Sequence, residues 1–175
     1  MAIKQVQMRS RVRPEVMAYA AAQDLRPKDA PPPPPPPDRP APIVRDATYA
    51  DAEAIAEVNV KAWKAAYRGV MPEAVLKEIT EKRFELRWEE VLLREPDPDL
   101  ATLVAEDSEG GVVGYLRAGP TEADGGEARF GHEIYAVNVA PGWSRRGVGR
   151  ALMIEGFWSL YEAGAEDCFA WALRA

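Results

Sequence analysis

The sequence predicts an α/β fold with a mixed sheet, and three observations predict it. Period-two apolar stretches at 101–105 and 112–116 flank Asp107-Ser108-Glu109-Gly110-Gly111, a hairpin signal. Ahead of them, residues 48–94 carry apolar side chains at helical spacing. After them, 133–173 reads as strand, glycine-bearing loop, helix and strand. Helices, antiparallel strands and a closing strand–helix–strand make the order of an α/β sheet with mixed strand directions.

Two regions are expected: a disordered, Pro-rich N-terminal extension over 1–42 and a folded domain over 43–175. Pro31 to Pro37 are consecutive, and proline gives no backbone N–H to a helix or sheet, so the run reads as extended polyproline II. A short helix over 14–25 is marginal at that length unless it packs on something. The extension holds seven basic and four acidic residues, a charge of +3; the chain as a whole carries -6, which leaves -9 on the remainder. A basic tail invites nucleic acid or a proline-reading module. Neither feature names a partner, so the simpler reading is a tether, and no nucleic acid is expected.

The folded part opens with a short strand at Ile43-Val44-Arg45. Thr48-x-x-Asp51 has the form of a capping box, whose hydroxyl and carboxylate satisfy orphan donors at a helix start. Ile55, Val58, Ala62 and Ala66 then share one helical face, expected to meet the core. Gly69 suits the end of this helix and Pro72 the start of a second helical region over 72–94, closed by Asp97-Pro98-Asp99. After the hairpin comes a polar loop over 119–131. The next strand carries Ile134, Tyr135, Val137 and Val139, residue types that fit a pleated sheet. A helix is expected from about 147 to 163, with Glu155, Ser159 and Glu162 on its polar face and Gly164 at its C-terminal cap. Residues 168–173 read as the last strand.

Single residues narrow the chemistry. One cysteine, Cys168, leaves no internal disulfide or cysteine-based zinc site and suits a reducing cytoplasm. One histidine, His132, leaves no histidine-rich metal site, so no metal is expected. The chain shows neither a membrane-length apolar run nor a signal-peptide core after its first basic residues. A cytoplasmic protein without membrane association is therefore expected.

The organising stretch is 133–152, EIYAVNVAPGWSRRGVGRAL. Ala140-Pro141-Gly142 ends the strand, and Gly147-Val148-Gly149 opens the helix. Helix-start amides lack intrahelical partners and carry partial positive charge, so a glycine pair there with Arg145 and Arg146 nearby suits a diphosphate. A P-loop would need Gly-Lys-Ser/Thr, which is absent. A dinucleotide fingerprint would need a small residue where Leu152 stands and a shorter loop than 139–147, although Asp167 lies at a suitable interval for a ribose acid. The segment resembles the acyl-coenzyme A signature of the GCN5-related N-acetyltransferase (GNAT) family: a hydrophobic strand, V-x-P, then [Q/R]-x-x-G-x-[G/A] opening a helix. Val139-Ala140-Pro141, Gly147 and Gly149 fall on matching positions. Ser144 departs from the usual Gln/Arg, so Arg145 and Arg146 would supply that charge.

The resemblance implies a mixed, mostly antiparallel sheet flanked by helices. It also implies a C-terminally incomplete domain, because a helix and two strands, about thirty residues, normally follow the last strand. Either the sequence is truncated, or another chain completes the sheet as in a homodimer; otherwise the last strand is an exposed apolar edge. The implied co-substrate is acetyl-CoA, held by Val137, Asn138, Val139, Arg145, Arg146, Gly147, Val148, Gly149, Arg150 and Ala151. Trp63-x-x-x-Tyr67-Arg68-Gly69 looks like the acceptor-side pattern of a bacterial subgroup. Its Trp63 and Tyr67 either shape the acceptor pocket or fill the core, and Arg68 either meets an anionic part of the acceptor or caps its helix.

Acetyl transfer to an amine by direct attack on the thioester would need a carboxylate to deprotonate a group of pKa ~10. Glu133 is the candidate base, at the position where relatives with E-x-Y carry an acid; an ordinary solvent-facing glutamate is the alternative. His132 is the substitute, and the two adjacent residues face opposite ways. A backbone N–H near 137–139 would polarise the carbonyl. For the acid, only Tyr135 is at hand. The acceptor is a small-molecule or peptide amine: a small amine, an amino acid, an aminoglycoside or a protein N-terminus. The competing reading is a non-catalytic acyl-CoA-binding or scaffold protein.

Overall fold

In the computed structural model, which describes residues 5–11, 41–69, 71–94, 97–121 and 131–173, six strands form one sheet. They are β1 (Gln5–Arg11), β2 (Ile43–Asp46), β3 (Ala101–Glu106), β4 (Val112–Pro120), β5 (His132–Val139) and β6 (Asp167–Leu173). The order is β1-β6-β5-β4-β3-β2, with every pair antiparallel except β5 and β6. The helices are α1 (Ala52–Tyr67), α2 (Glu73–Glu78), α3 (Glu81–Leu92) and α4 (Val148–Glu162). The mixed, mostly antiparallel sheet flanked by helices is thus the observed architecture.

Alternation along the strands feeds two cores, one on each face. Leu103 pairs with Leu116, and Val104 with Tyr115, in the β3–β4 register. Neighbouring residues point to opposite faces. Val104 and Tyr115 therefore pack with Ile55, Val58 and Trp88 of α1 and α3. Leu103 and Leu116 pack with Leu152 and Leu160 of α4. Close approach of α4 requires a glycine: a Cβ on Gly114 would lie 2.9 Å from Val148 Cγ1 and 3.0 Å from Leu152 Cδ1.

The start of α1 is pinned by charge. The Arg45 guanidinium on β2 donates to both Asp51 oxygens at 2.8 Å, and its Nε donates to Glu106 at 2.9 Å. Asp51 also accepts from the Thr48 backbone N–H at 2.7 Å and from the Thr48 hydroxyl at 2.9 Å. The expected capping signature is therefore in place and tied to the sheet.

Three expectations change. First, residues 5–11 belong to the sheet and not to a disordered extension: β1 pairs along β6, from Gln5 opposite Leu173 to Arg11 opposite Asp167. An unpaired strand edge offers a row of free N–H and C=O groups. The seven-residue stretch QVQMRSR, free of proline, can satisfy them, whereas composition averaged over 1–42 hides it. The expected exposed β6 edge is covered by this chain's own β1. The polyproline run and the helix proposed at 14–25 lie outside the described residues. Second, the helical region over 72–94 is two helices, because Ile79 and Thr80 are extended and Thr80 stands at the N-cap of α3. Third, the face of α1 expected to be core leaves it towards its C-terminus: Ile55 and Val58 are buried, while Ala66 is exposed over a cleft.

Candidate active site

The site begins with two irregularities in β5. Arg117 pairs with Ala136 and Ala118 with Ile134, so Tyr135 is an extra residue, a bulge that bends the strand. On its other side, β5 pairs with β6 only from His132 to Ile134, opposite Cys168 to Ala170. Both strands continue, so beyond Ile134 they part and the β6-facing edge of β5 lacks a strand partner among the described residues.

A cleft of about 670 Å³ lies at this end of β5. Val137, Asn138 and Val139 form one wall; Ala62, Ala65 and Ala66 of α1 form another; Ser144, Gly149 and Met153 close the α4 side. The small side chains of α1 are what keep this space open, which explains why its apolar face does not end in core. Asn138 is fixed at the cleft by donating its amide N–H to the Tyr115 hydroxyl at 2.8 Å.

The N-terminus of α4 supplies the polar end. Gly147 caps the helix at φ 86°, a left-handed conformation favouring glycine. A Cβ there would meet nothing within 4 Å, so the approach to the backbone is open. The first helical bond runs from Ala151 N–H to the Gly147 carbonyl at 2.9 Å. The Val148, Gly149 and Arg150 amides ahead of it therefore have no intrahelical partner. Arg145, itself at φ 63°, Arg146 and Arg150 are exposed around this turn, and Arg146 lies 5.2 Å over the Trp143 ring. Val148 is buried and Ala151 half-buried, which seats the helix start on the sheet. The geometry thus gathers all ten residues assigned to the co-substrate on the end of β5 and the turn into α4.

A second cleft, about 390 Å³, opens on the α1–α3 face next to the first. The two share β5, with Tyr135 and Ala136 lining the smaller and Val137 to Val139 the larger. Trp63 lines the smaller cleft, with ring contacts to Tyr67 at 5.0 Å and Phe84 at 6.4 Å between centroids. Tyr67 thus supports Trp63, and Arg68 sits exposed at the C-cap of α1; neither lines the cleft. Asn59, Arg87, Trp88 and Tyr115 also line it, and sequence reasoning gave none of them a functional role. Asn59 carried a usable signal, since it is a polar residue beside Ile55 and Val58 on the buried side of α1. Its Oδ1 and the Trp88 Nε1–H are buried without hydrogen-bond partners. Leaving each so in an empty protein costs about 1–3 kcal/mol.

Glu133 is half-buried at the start of β5, two residues from Tyr135, and lines neither cleft. His132 Nδ1 is buried without a partner. The Tyr135 hydroxyl donates to the Pro120 carbonyl, so its proton is already engaged. Burial pushes the Tyr115 phenol well above its ordinary range. Among the described residues, no helix is long and apolar enough to cross a membrane.

Comparison with known proteins agrees with this geometry. A family model described as acetyltransferase (GNAT) family matches residues 61–170. YuaI, an uncharacterized N-acetyltransferase of Bacillus subtilis (strain 168), is 30% identical over 131 residues, covering 75% of this chain and 71% of that protein. The fold is similar to that of PaiA N-acetyltransferase from Thermoplasma acidophilum, solved in complex with coenzyme A; the TM-score is 0.62 at 19% identity, over 75% of this chain and 79% of that one. A structure described as histone acetyltransferase HPA2 and related acetyltransferase, from Corynebacterium glutamicum, is also similar, with TM-score 0.56 at 25% identity over 75% and 76%.

Proposed function

This chain belongs to the acetyltransferase (GNAT) family and is an acyl-CoA-dependent N-acyltransferase; from that premise we propose that it moves an acetyl group from acetyl-CoA to a primary amine by direct attack on the thioester. The observation that carries this reading is the parting of β5 from β6 beside the open amides of the α4 N-terminus. A diphosphate suits the Val148, Gly149 and Arg150 amides and the Gly147 turn, with charge from Arg145 and Arg146. An extended amide-bearing arm suits the unpaired edge of β5 at Val137 to Val139, which offers it strand-like hydrogen bonds. When bound, acetyl-CoA supplies the thioester carbonyl whose carbon gains the C–N bond as the C–S bond breaks and thiolate leaves.

The chain's own groups then have separate tasks. Glu133, near the bulge but outside both clefts, takes the ammonium proton through water, which frees the lone pair. A main-chain N–H of 137–139 steadies the developing oxyanion. Tyr115 is a poor acid for a thiolate of pKa ~8.5, because its raised phenol holds its proton more tightly. Solvent therefore serves to reprotonate the leaving group. Trp63, supported by Tyr67, forms the acceptor-side wall, and Arg68 is exposed at the end of α1 outside the cleft. The single cysteine, a free thiol, fits a cytoplasmic setting.

The test is to incubate the protein with acetyl-CoA and a panel of amines and to follow free CoA thiol. Amine-dependent release is expected, with the acetylated amine found by mass spectrometry. Thiol release independent of amine, or none with any amine, would overturn the reading.

A further inference from the structure

We propose that the 390 Å³ cleft takes a free zwitterionic α-amino acid, whose amino group is the acetyl acceptor. The inference rests on the acyltransferase reading and adds to it the substrate class. Asn59 and Trp88 are 5% and 6% exposed, and both line this cleft. Asn59 Oδ1 is an acceptor without a donor, and Trp88 Nε1–H is a donor without an acceptor. A buried orphan of each sign in one small space asks for a ligand that carries both complements. An amino group donates to Asn59, and a carboxylate accepts from Trp88.

Charge and shape agree. Glu90, the one acidic residue lining the cleft among the described residues, pairs with Arg94 at 3.4 Å, both exposed. Arg87 also lines the cleft, beside the Tyr115 phenol, and adds the positive field that a carboxylate needs. Trp63, Phe84 and Tyr135 make the remaining wall aromatic, which suits an apolar side chain. The cleft has room for an amino acid, and a peptide N-terminus fits the two orphans less well, because its α-carboxyl is tied up in an amide. A neutral amine that donates one N–H to Asn59 keeps its lone pair for attack, next to the β5 residues that line the larger cleft.

Three probes separate the requirements: L-phenylalanine, phenethylamine (no carboxylate) and 3-phenylpropionate (no amine). Each is titrated calorimetrically into the full chain without acetyl-CoA, and the two amines are then compared in thiol release. L-Phenylalanine is expected to bind at least about tenfold tighter than either partial probe, and to exceed phenethylamine in kcat/KM by a similar factor. Trp88→Phe, which removes only the N–H and some ring area, and Arg87→Gln, at an exposed side chain, should each shrink that preference. Phenethylamine bound or acetylated as well as L-phenylalanine would overturn the proposal, as would a preference untouched by both substitutions. Selective L-phenylalanine binding without any CoA release would uphold the amino-acid site and sink the acyltransferase reading. CoA release equal for both amines would do the reverse.

Discussion

Cys168 is buried, and burial pushes its thiol up to about 12, so it holds its proton at neutral pH. A thiol in that state is no nucleophile, so Cys168 offers no covalent acyl-enzyme step. In the folded protein Cys168 should react with a disulfide reagent far more slowly than in urea; equal rates would show that the thiol is accessible. At Glu133 the expected effect is kinetic. Glu133→Gln should lower kcat by about 10²–10⁴ while leaving CoA affinity unchanged, and unaltered activity at every pH would remove it from the base role. Gly147→Glu places a carboxylate where phosphates are expected and a side chain at φ 86°. Repulsion together with about 1–2 kcal/mol of backbone cost should reduce CoA affinity at least about tenfold, checked calorimetrically on protein with native circular dichroism.

At the scale of elements, the seating of α4 governs the site, because its first residue, Val148, is also a core residue. Gly114→Ala would drive a methyl into Val148, Leu152 and the Asn138 carbonyl, which lies 3.1 Å from the added Cβ. We expect a loss of about 1–3 kcal/mol in urea unfolding and weaker CoA binding in the same variant. The Arg45–Asp51–Glu106 cluster acts on stability alone. Hydrogen bonds from Arg45, with further ones from Thr48, hold the Asp51 carboxyl down at about 2, below its ordinary value of 3.8. A depressed carboxylate stabilises the fold above pH 3.8, and that contribution fades as pH falls through 2. Because the Arg45 side chain is 35% exposed, solvent screening limits the effect to about 1–2 kcal/mol. Asp51→Asn should lose that much at pH 7 and show a flatter decline than wild type between about pH 4 and 2.

Across the whole molecule, β1 is the element that composition concealed. The hairpin, the β5–α4 passage and its glycine cap were readable because each has a local signal: alternation, a Pro-Gly stop, a residue needing positive φ. Strand pairing between residues 5–11 and 167–173 has no local signal, being a contact across almost the full chain. The same limit applies to the smaller cleft. Trp63 announced itself by spacing, but Asn59, Arg87 and Trp88 meet only when α1 and α3 cross the sheet. Removal of residues 1–11 should uncover the β6 edge, lowering the thermal midpoint and shifting size-exclusion profiles towards aggregates; an unchanged midpoint would mean that β1 contributes little. The central claim is that amides at the start of α4, beside the parted strands, hold a nucleotide thioester's diphosphate. Calorimetric titration of coenzyme A into the folded 175-residue chain tests it most directly: one site per chain, weakened at least about tenfold in Gly147→Glu, is the predicted result, and no heat of binding to the wild-type protein would contradict it.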